Sequence, residues 1–183
     1  MLVILDIDGL LVQRTRKTHR QTQTENSTEL MIAYLQGDSV TFEGLNNYYT
    51  TRAGLRPFLD RLFAEHSVAI WTSSTDVNSS DVLNYILHPW ERQQLVFFWN
   101  REHTVLDPDF PRNKTKAHDT IKPIHNVFTH PAINSDRKWH KDNTVLIDDE
   151  ARKLRKNPPS TRITVTNFTD SLDEILDGLA ERE

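Results

Sequence analysis

Three short apolar runs constrain this sequence more than any other feature: LVIL at residues 2–5, VAIW at 68–71 and TVLI at 144–147. Each is strand-length, apolar and unbroken by charge, which is the pattern of a buried strand. Each also ends abruptly on oxygen-bearing side chains: Asp6 and Asp8 after the first, Thr72 and Ser73 after the second, Asp148 and Asp149 after the third. Helical patterns lie between them. In LRPFLDRLFAEH, residues Leu55, Phe58, Leu59, Leu62 and Phe63 form the apolar stripe of an amphipathic helix, with Pro57 in its first turn. DVNSSDVLNYILH (76–88) predicts a second helix. DSLDEILDGLAERE (170–183) predicts a third, N-capped by Asp170 or Ser171 and apolar at Leu172, Ile175, Leu176 and Leu179. Helices alternating with strands predict an α/β fold, a central parallel sheet flanked by helices with LVIL near its centre.

The other segments carry weaker patterns. QRTRKTHRQTQTENST (13–28) is polar and basic without periodicity, and predicts an exposed loop. LMIAYLQGDSVTFEGL (30–45) reads as two strands around a Gln-Gly-Asp-Ser turn, and NNYYTTRAG (46–54) as a third. LVFFWN (95–100) and TRITVTNF (161–168) are further strand candidates, with the polar, proline-bearing stretch 101–119 after the former. The four tryptophans are expected in the core, Trp71 packing beneath the strand ends.

At 183 residues the chain suits a single domain, residues 1–183, with a core of real size. Its formal net charge of −4 provides no basic excess for gripping a phosphate backbone, so nucleic acid is not indicated by charge. The absence of cysteine excludes disulfides, thiolate zinc sites and thiol nucleophiles. Eight histidines remain, and none, His103 and His118 included, is assigned a role. No apolar run reaches transmembrane length and no basic segment precedes the first strand; the expectation is an intracellular protein, cytoplasmic or nuclear, without a membrane partner. Nothing in the sequence sets its oligomeric state.

In an open α/β sheet, ligands bind in the crevice outside the carboxyl ends of the strands. Asp6, Asp8, Thr72, Ser73, Asp148 and Asp149 are therefore expected to share one cleft. Four carboxylates at such range repel one another unless a cation sits among them, and Mg²⁺, a hard ion held by carboxylates and water, suits that donor set best. The same inventory can perform phosphoryl transfer. One carboxylate attacks phosphorus, a second moves the proton, a threonine hydroxyl donates to a phosphoryl oxygen, and a lysine balances charge on the transferring group.

The order VILDIDG, RPFLDRL, VAIWTSS, IKPI, NTVLIDDE resembles the haloacid-dehalogenase superfamily, and most nearly its FCP/SCP-type phosphatases, which act on the C-terminal domain of RNA polymerase II, and their NIF-domain relatives. The likeness runs from residue 1 to about 168. It implies a Rossmann-like fold with a small β-hairpin insertion after the first strand, and Mg²⁺-dependent hydrolysis of a phosphorylated protein or peptide through an aspartyl-phosphate. Carried over by position, it implies Asp6 as nucleophile and Asp8 as general acid/base. It also implies Thr72 as hydroxyl donor and Lys122 as the lysine, with Lys114 and Lys116 left open. Asp6, Asp8 (through its carbonyl), Asp148 and Asp149 would hold the metal. Thr72, Ser73 and Lys122 would meet the phosphate, with Arg14 and Arg16, beside Lys17, His19 and Arg20, as a phosphate-attracting rim. Two features depart from the family pattern: Leu10 stands where relatives carry Thr or Val, and the segment between Thr72 and Lys122 is irregular. A signalling receiver domain is disfavoured, because there the acidic pair comes first and the lysine last. A polynucleotide 3′-phosphatase, which shares the Asp-x-Asp-Gly start, and a non-catalytic binding module on the same fold stay open.

Overall fold

The computed structural model describes residues 1–17, 27–109 and 119–182. In chain order its first elements are β1 (Leu2–Leu5), β2 (Val12–Arg16), α1 (Ser27–Leu35), β3 (Thr41–Glu43), β4 (Asn47–Thr51) and α2 (Leu55–Glu65). These are followed by β5 (Ser67–Trp71), α3 (Asp76–Ile86), α4 (Pro89–Gln94), β6 (Phe98–Trp99), β7 (Val105–Leu106) and β8 (Thr120–Ile121). The chain completes with α5 (His125–Phe128), β9 (Thr144–Asp148), α6 (Ala151–Leu154), β10 (Arg162–Thr164) and α7 (Asp173–Ala180).

The expected parallel sheet is present, ordered β10-β9-β1-β5-β6, with β1 at its centre. Both faces are covered, which is why its strands are apolar throughout rather than alternating. Val3, Leu5, Val68, Ile70, Val145 and Ile147 face one core, filled from α2, α3 and α7; Leu2, Ile4, Ala69, Trp71 and Leu146 face the other, with Trp99, Ile124, Val127 and Leu154. Burying each such large side chain contributes about 1.5–3 kcal/mol, enough in sum to hold polar groups at the strand ends in fixed positions. The register sets those positions. Leu5 lies beside Ile70 and Ile147, so the next residue, Asp6, is level with the end of β9 and donates its backbone N–H to the Ile147 carbonyl (3.0 Å).

The insertion after β1 is a β3–β4 antiparallel hairpin to which β2 adds a third strand. Two sequence readings change here. LMIAYL is helix α1, not a strand: apart from Ile32 its residues favour helix or tolerate it, and Tyr34 is buried, its hydroxyl donating to the Ile86 carbonyl (2.7 Å). Residues 13–16, expected in a loop, pair with β4 as β2, although their side chains are exposed as expected. Residues 18–26 of that segment lie outside the described residues, and its last two, Ser27 and Thr28, belong to α1 rather than to a loop. Of LVFFWN only Phe98–Trp99 is strand; residues 95–97 form the irregular connection from α4, joined to β5 by hydrogen bonds from the Val96 N–H to the Val68 carbonyl (2.9 Å) and from the Ile70 N–H to the Phe97 carbonyl (3.1 Å). Trp71, Trp99 and Trp139 are buried, but Trp90 on α4 is 48% exposed.

Helix α2 is placed by charge as well as by its apolar stripe. Arg56 is buried and paired through both terminal nitrogens with the buried Glu91 of α4, whose Oε2 also accepts the His88 backbone N–H (2.7 Å). The N-cap of α7 is Leu172 rather than the expected Asp170 or Ser171, although Ser171 Oγ accepts the Asp173 N–H (3.1 Å), and the four expected apolar positions are all buried. Among the described residues no helix is long and apolar enough to cross a membrane.

Candidate active site

The carboxyl ends of β1, β5 and β9 open into a cleft of about 520 Å³ whose lining includes Asp6, Asp8, Thr72, Ser73 and Asp149. Asp6 is buried at its floor. One carboxylate oxygen, Oδ1, faces Lys122 Nζ at 3.0 Å and the other, Oδ2, faces Lys153 Nζ at 3.3 Å. Asp148 divides its oxygens between the same two lysines, Oδ2 accepting from Lys122 (2.5 Å) and Oδ1 lying 3.5 Å from Lys153. Burial alone would raise the pKa of Asp6, but the two ammonium groups outweigh it and hold the carboxyl below the ordinary range.

Asp149 sits higher in the cleft wall. Burial, opposed by Lys153 and reinforced by the charges of Asp148 and Asp6, pushes its carboxyl up to about 7. Asp8 is raised as well, first by burial and further by Asp6, against the pull of Arg14, whose guanidinium lies 3.5 Å from its Oδ2. Thr72 is buried, its N–H donating to the Trp99 carbonyl (2.8 Å) and its hydroxyl accepting the Ser74 N–H (3.2 Å). Ser73 Oγ meets Thr120 Oγ1 at 3.2 Å, and its carbonyl accepts from Arg101 Nε (2.8 Å).

Oxygen atoms of Asp6, Asp148 and Asp149 lie within 4.8 Å of one another. Asp149 Oδ1 is buried and accepts no hydrogen bond among the described residues, the Lys153 ammonium lying 3.8 Å away. A buried carboxylate oxygen without a hydrogen-bond donor, beside two further buried carboxylates, is a hard anionic donor set of the kind a small divalent cation takes, so the residues present fit Mg²⁺.

A family model for NLI interacting factor-like phosphatases matches residues 1–182. The chain belongs to that family. It is 24% identical over 167 residues to an uncharacterized FCP1 homology domain-containing protein of Schizosaccharomyces pombe, a match spanning 91% of this chain and 61% of that relative. Among solved structures it is similar to fission yeast RNA polymerase II CTD phosphatase Fcp1, in an Arg-to-Ala variant bound to beryllium fluoride, with a TM-score of 0.56 and 16% identity. A second Fcp1 structure, described as an essential RNA polymerase II CTD phosphatase, gives a TM-score of 0.57 at 16% identity. Both cover 98% of this chain, which spans about half of theirs (49% and 48%). These likenesses show the fold, a haloacid-dehalogenase-type α/β core.

Of the residues singled out in the sequence, the structure brings Asp6, Asp8, Thr72, Ser73, Lys122, Asp148 and Asp149 to one place. The Asp8 side chain stands apart from the three-carboxylate cluster, turned to Arg14 instead. Among the described residues of the basic rim, Arg14 alone reaches the cleft. Arg16 does not line it, Lys17 is paired with Glu43 (2.5 Å), and His19 and Arg20 lie outside the described residues, as do Lys114 and Lys116. Three cations that sequence reasoning missed line the cleft: Arg101, Arg152 and Lys153. Lys153 follows Asp149 by four residues across the turn into α6, a spacing that puts the two on one side of a helical turn; that spacing was the available signal.

Proposed function

We propose that this chain is a Mg²⁺-dependent phosphatase that hydrolyses phosphate monoesters through an aspartyl-phosphate formed on Asp6, acting on phosphoserine or phosphothreonine in a protein segment. The observation that carries the reading is the environment of Asp6. It is a carboxylate kept ionised at the floor of an open cleft, with Lys122 behind it and a raised-pKa carboxyl, Asp8, two residues further on. Asp6, Asp148 and Asp149, with the Asp8 carbonyl, would hold the cation, which when bound offsets the charge of the incoming phosphate against these carboxylates.

In the first half-reaction an Asp6 carboxylate oxygen bonds to phosphorus as the ester P–O bond breaks, and Asp8 gives its proton to the leaving hydroxyl oxygen. In the second, Asp8 takes a proton from water as its oxygen attacks the same phosphorus, restoring the Asp6 carboxylate and releasing phosphate. Thr72, with Ser73 beside it, is placed to donate to a phosphoryl oxygen, and Lys122 to balance charge on the acyl phosphate. Arg14, Arg101 and Arg152 at the walls suit an anionic substrate. The family match and the Fcp1 likeness support a polymerase C-terminal-domain-like phosphopeptide as the substrate class.

The test is Asp6→Asn, which is expected to abolish Mg²⁺-dependent hydrolysis of p-nitrophenyl phosphate with unchanged circular dichroism; full activity in that variant rules the mechanism out. A panel of phosphoserine peptides, 3′-phosphorylated oligonucleotides and small phosphate esters then fixes the class, with preference for the peptides expected.

A further inference from the structure

Two lysines serve one set of carboxylates, and they are not equivalent. Lys122 is wholly buried and holds Asp6 Oδ1 and Asp148 Oδ2. Lys153 takes the remaining oxygens: Asp6 Oδ2 at 3.3 Å, Asp148 Oδ1 at 3.5 Å and Asp149 Oδ1 at 3.8 Å, with Glu150 Oε1 at 3.2 Å. Its side chain is 10% exposed and lines the cleft, so its ammonium has a path to solvent that the ammonium of Lys122 lacks.

The three aspartates that Lys153 binds are the cluster that could hold a divalent ion. Magnesium requires its oxygens at about 2.0–2.1 Å in a near-octahedral shell. An ammonium group drawn to the same oxygens from within the cluster leaves no room for that shell, and two cations at such separation repel strongly in a site shielded from water. Glu150 provides an alternative anchor. It lies on the same turn as Lys153, with 48% of its side chain exposed, so the ammonium can leave the aspartates and keep one carboxylate partner.

We propose that Lys153 is a built-in competitor for the divalent cation. It neutralises the aspartate cluster while the cation is absent and withdraws toward Glu150 when the cation binds, so that the protein stays assembled at low Mg²⁺ and loads only above a threshold concentration. This rests on the cation site proposed above. It makes Lys153 a residue that sets cation affinity, distinct from Lys122, which stays with Asp6 throughout.

Calorimetric titration of the full chain with MgCl₂, wild type against Lys153→Met, separates the cases. The variant is expected to bind Mg²⁺ at least about tenfold more tightly and, without Mg²⁺, to melt at a lower temperature than wild type. Unchanged or weaker Mg²⁺ binding in the variant overturns the competitor role alone. Absence of Mg²⁺ binding in both proteins overturns the cation site and the competitor role together. A second measurement needs no variant: the rate at which an N-hydroxysuccinimide ester acetylates Lys153 in the wild-type chain, followed by peptide mass spectrometry. Saturating Mg²⁺ is expected to raise that rate several-fold while Lys122 stays protected, and an unchanged or lower rate at Lys153 overturns the proposal.

Discussion

A Cβ on residue 9 would lie 2.1 Å from Asp149 Oδ2, so Gly9 and Asp149 occupy their positions only because residue 9 has no side chain. Gly9 also has φ +83°, a conformation that costs other residues about 1–2 kcal/mol. Both effects bear on Asp149. Gly9→Ala is expected to displace that carboxylate and weaken Mg²⁺ binding by more than about tenfold, a loss larger than its effect on melting temperature would suggest. Calorimetry beside a thermal melt checks this; unaltered Mg²⁺ affinity would show that Asp149 is not needed for the ion.

Removing Lys122 affects two functions of one side chain. Lys122→Met leaves Asp6 and Asp148 buried with one cation fewer, which is expected to cost about 3–5 kcal/mol in urea unfolding. Under the mechanism proposed above, in which its charge would meet the phosphoryl group most strongly in the transition state, turnover is expected to fall by at least about 10²-fold in kcat, with a smaller change in KM. A rise in KM alone would assign it to substrate binding instead.

The Arg56–Glu91 pair offers a control remote from the cleft. Arg56→Met strands a fully buried carboxylate, with an expected loss of about 3–5 kcal/mol, whereas Arg56→Met with Glu91→Leu is expected to recover most of it. Urea denaturation of the two single variants and the double variant measures the coupling. Additive losses would mean that the pair does not act as a unit.

Acid stability should reveal Asp107, which follows β7 and receives two hydrogen bonds from Arg155, just past the helix that carries Lys153. Those hydrogen bonds, against a smaller effect of burial, hold its carboxyl well below the ordinary value of 3.8. A depressed pKa stabilises the folded chain at pH above the unfolded value, and that contribution is lost as pH falls below about 4 toward the folded pKa. The melting temperature of wild type should therefore drop in that range, and Asp107→Asn should flatten the drop while lowering stability near neutral pH. Identical acid profiles for the two proteins would exclude Asp107 as the cause.

What could be read from the sequence were groups whose positions follow from strand ends alone. Asp6, Thr72 and Asp148 each close an apolar run, and a parallel sheet brings such ends together whatever the loops do. Lys122 was reached only through the family resemblance, because IKPI has no periodicity of its own. Lys153 was missed because its place depends on where α6 begins, a detail that the run DDEARKL leaves open. Helix α1 was missed for a different reason: six apolar residues in a row fit a strand or a helix equally, and the contact that decides between them, Tyr34 with Ile86, is remote in sequence. Arg52 stood in NNYYTTRAG as one more strand-end cation, with nothing nearby to mark it.

That arginine ties together regions far apart in the chain. It is buried after β4, its Nε and one terminal nitrogen donate to the carbonyls of Leu10 (2.8 Å) and Gly9 (3.2 Å), and its other terminal nitrogen donates to those of Asn167 (3.1 Å) and Asp170 (2.8 Å). The turn that follows the two N-terminal aspartates is thus moored, through one guanidinium, to the segment leading into the last helix. Loosening that segment is expected to release the turn, whose Gly9 lines the cleft, so a substitution far from the site in sequence can disturb it without replacing any residue of the site.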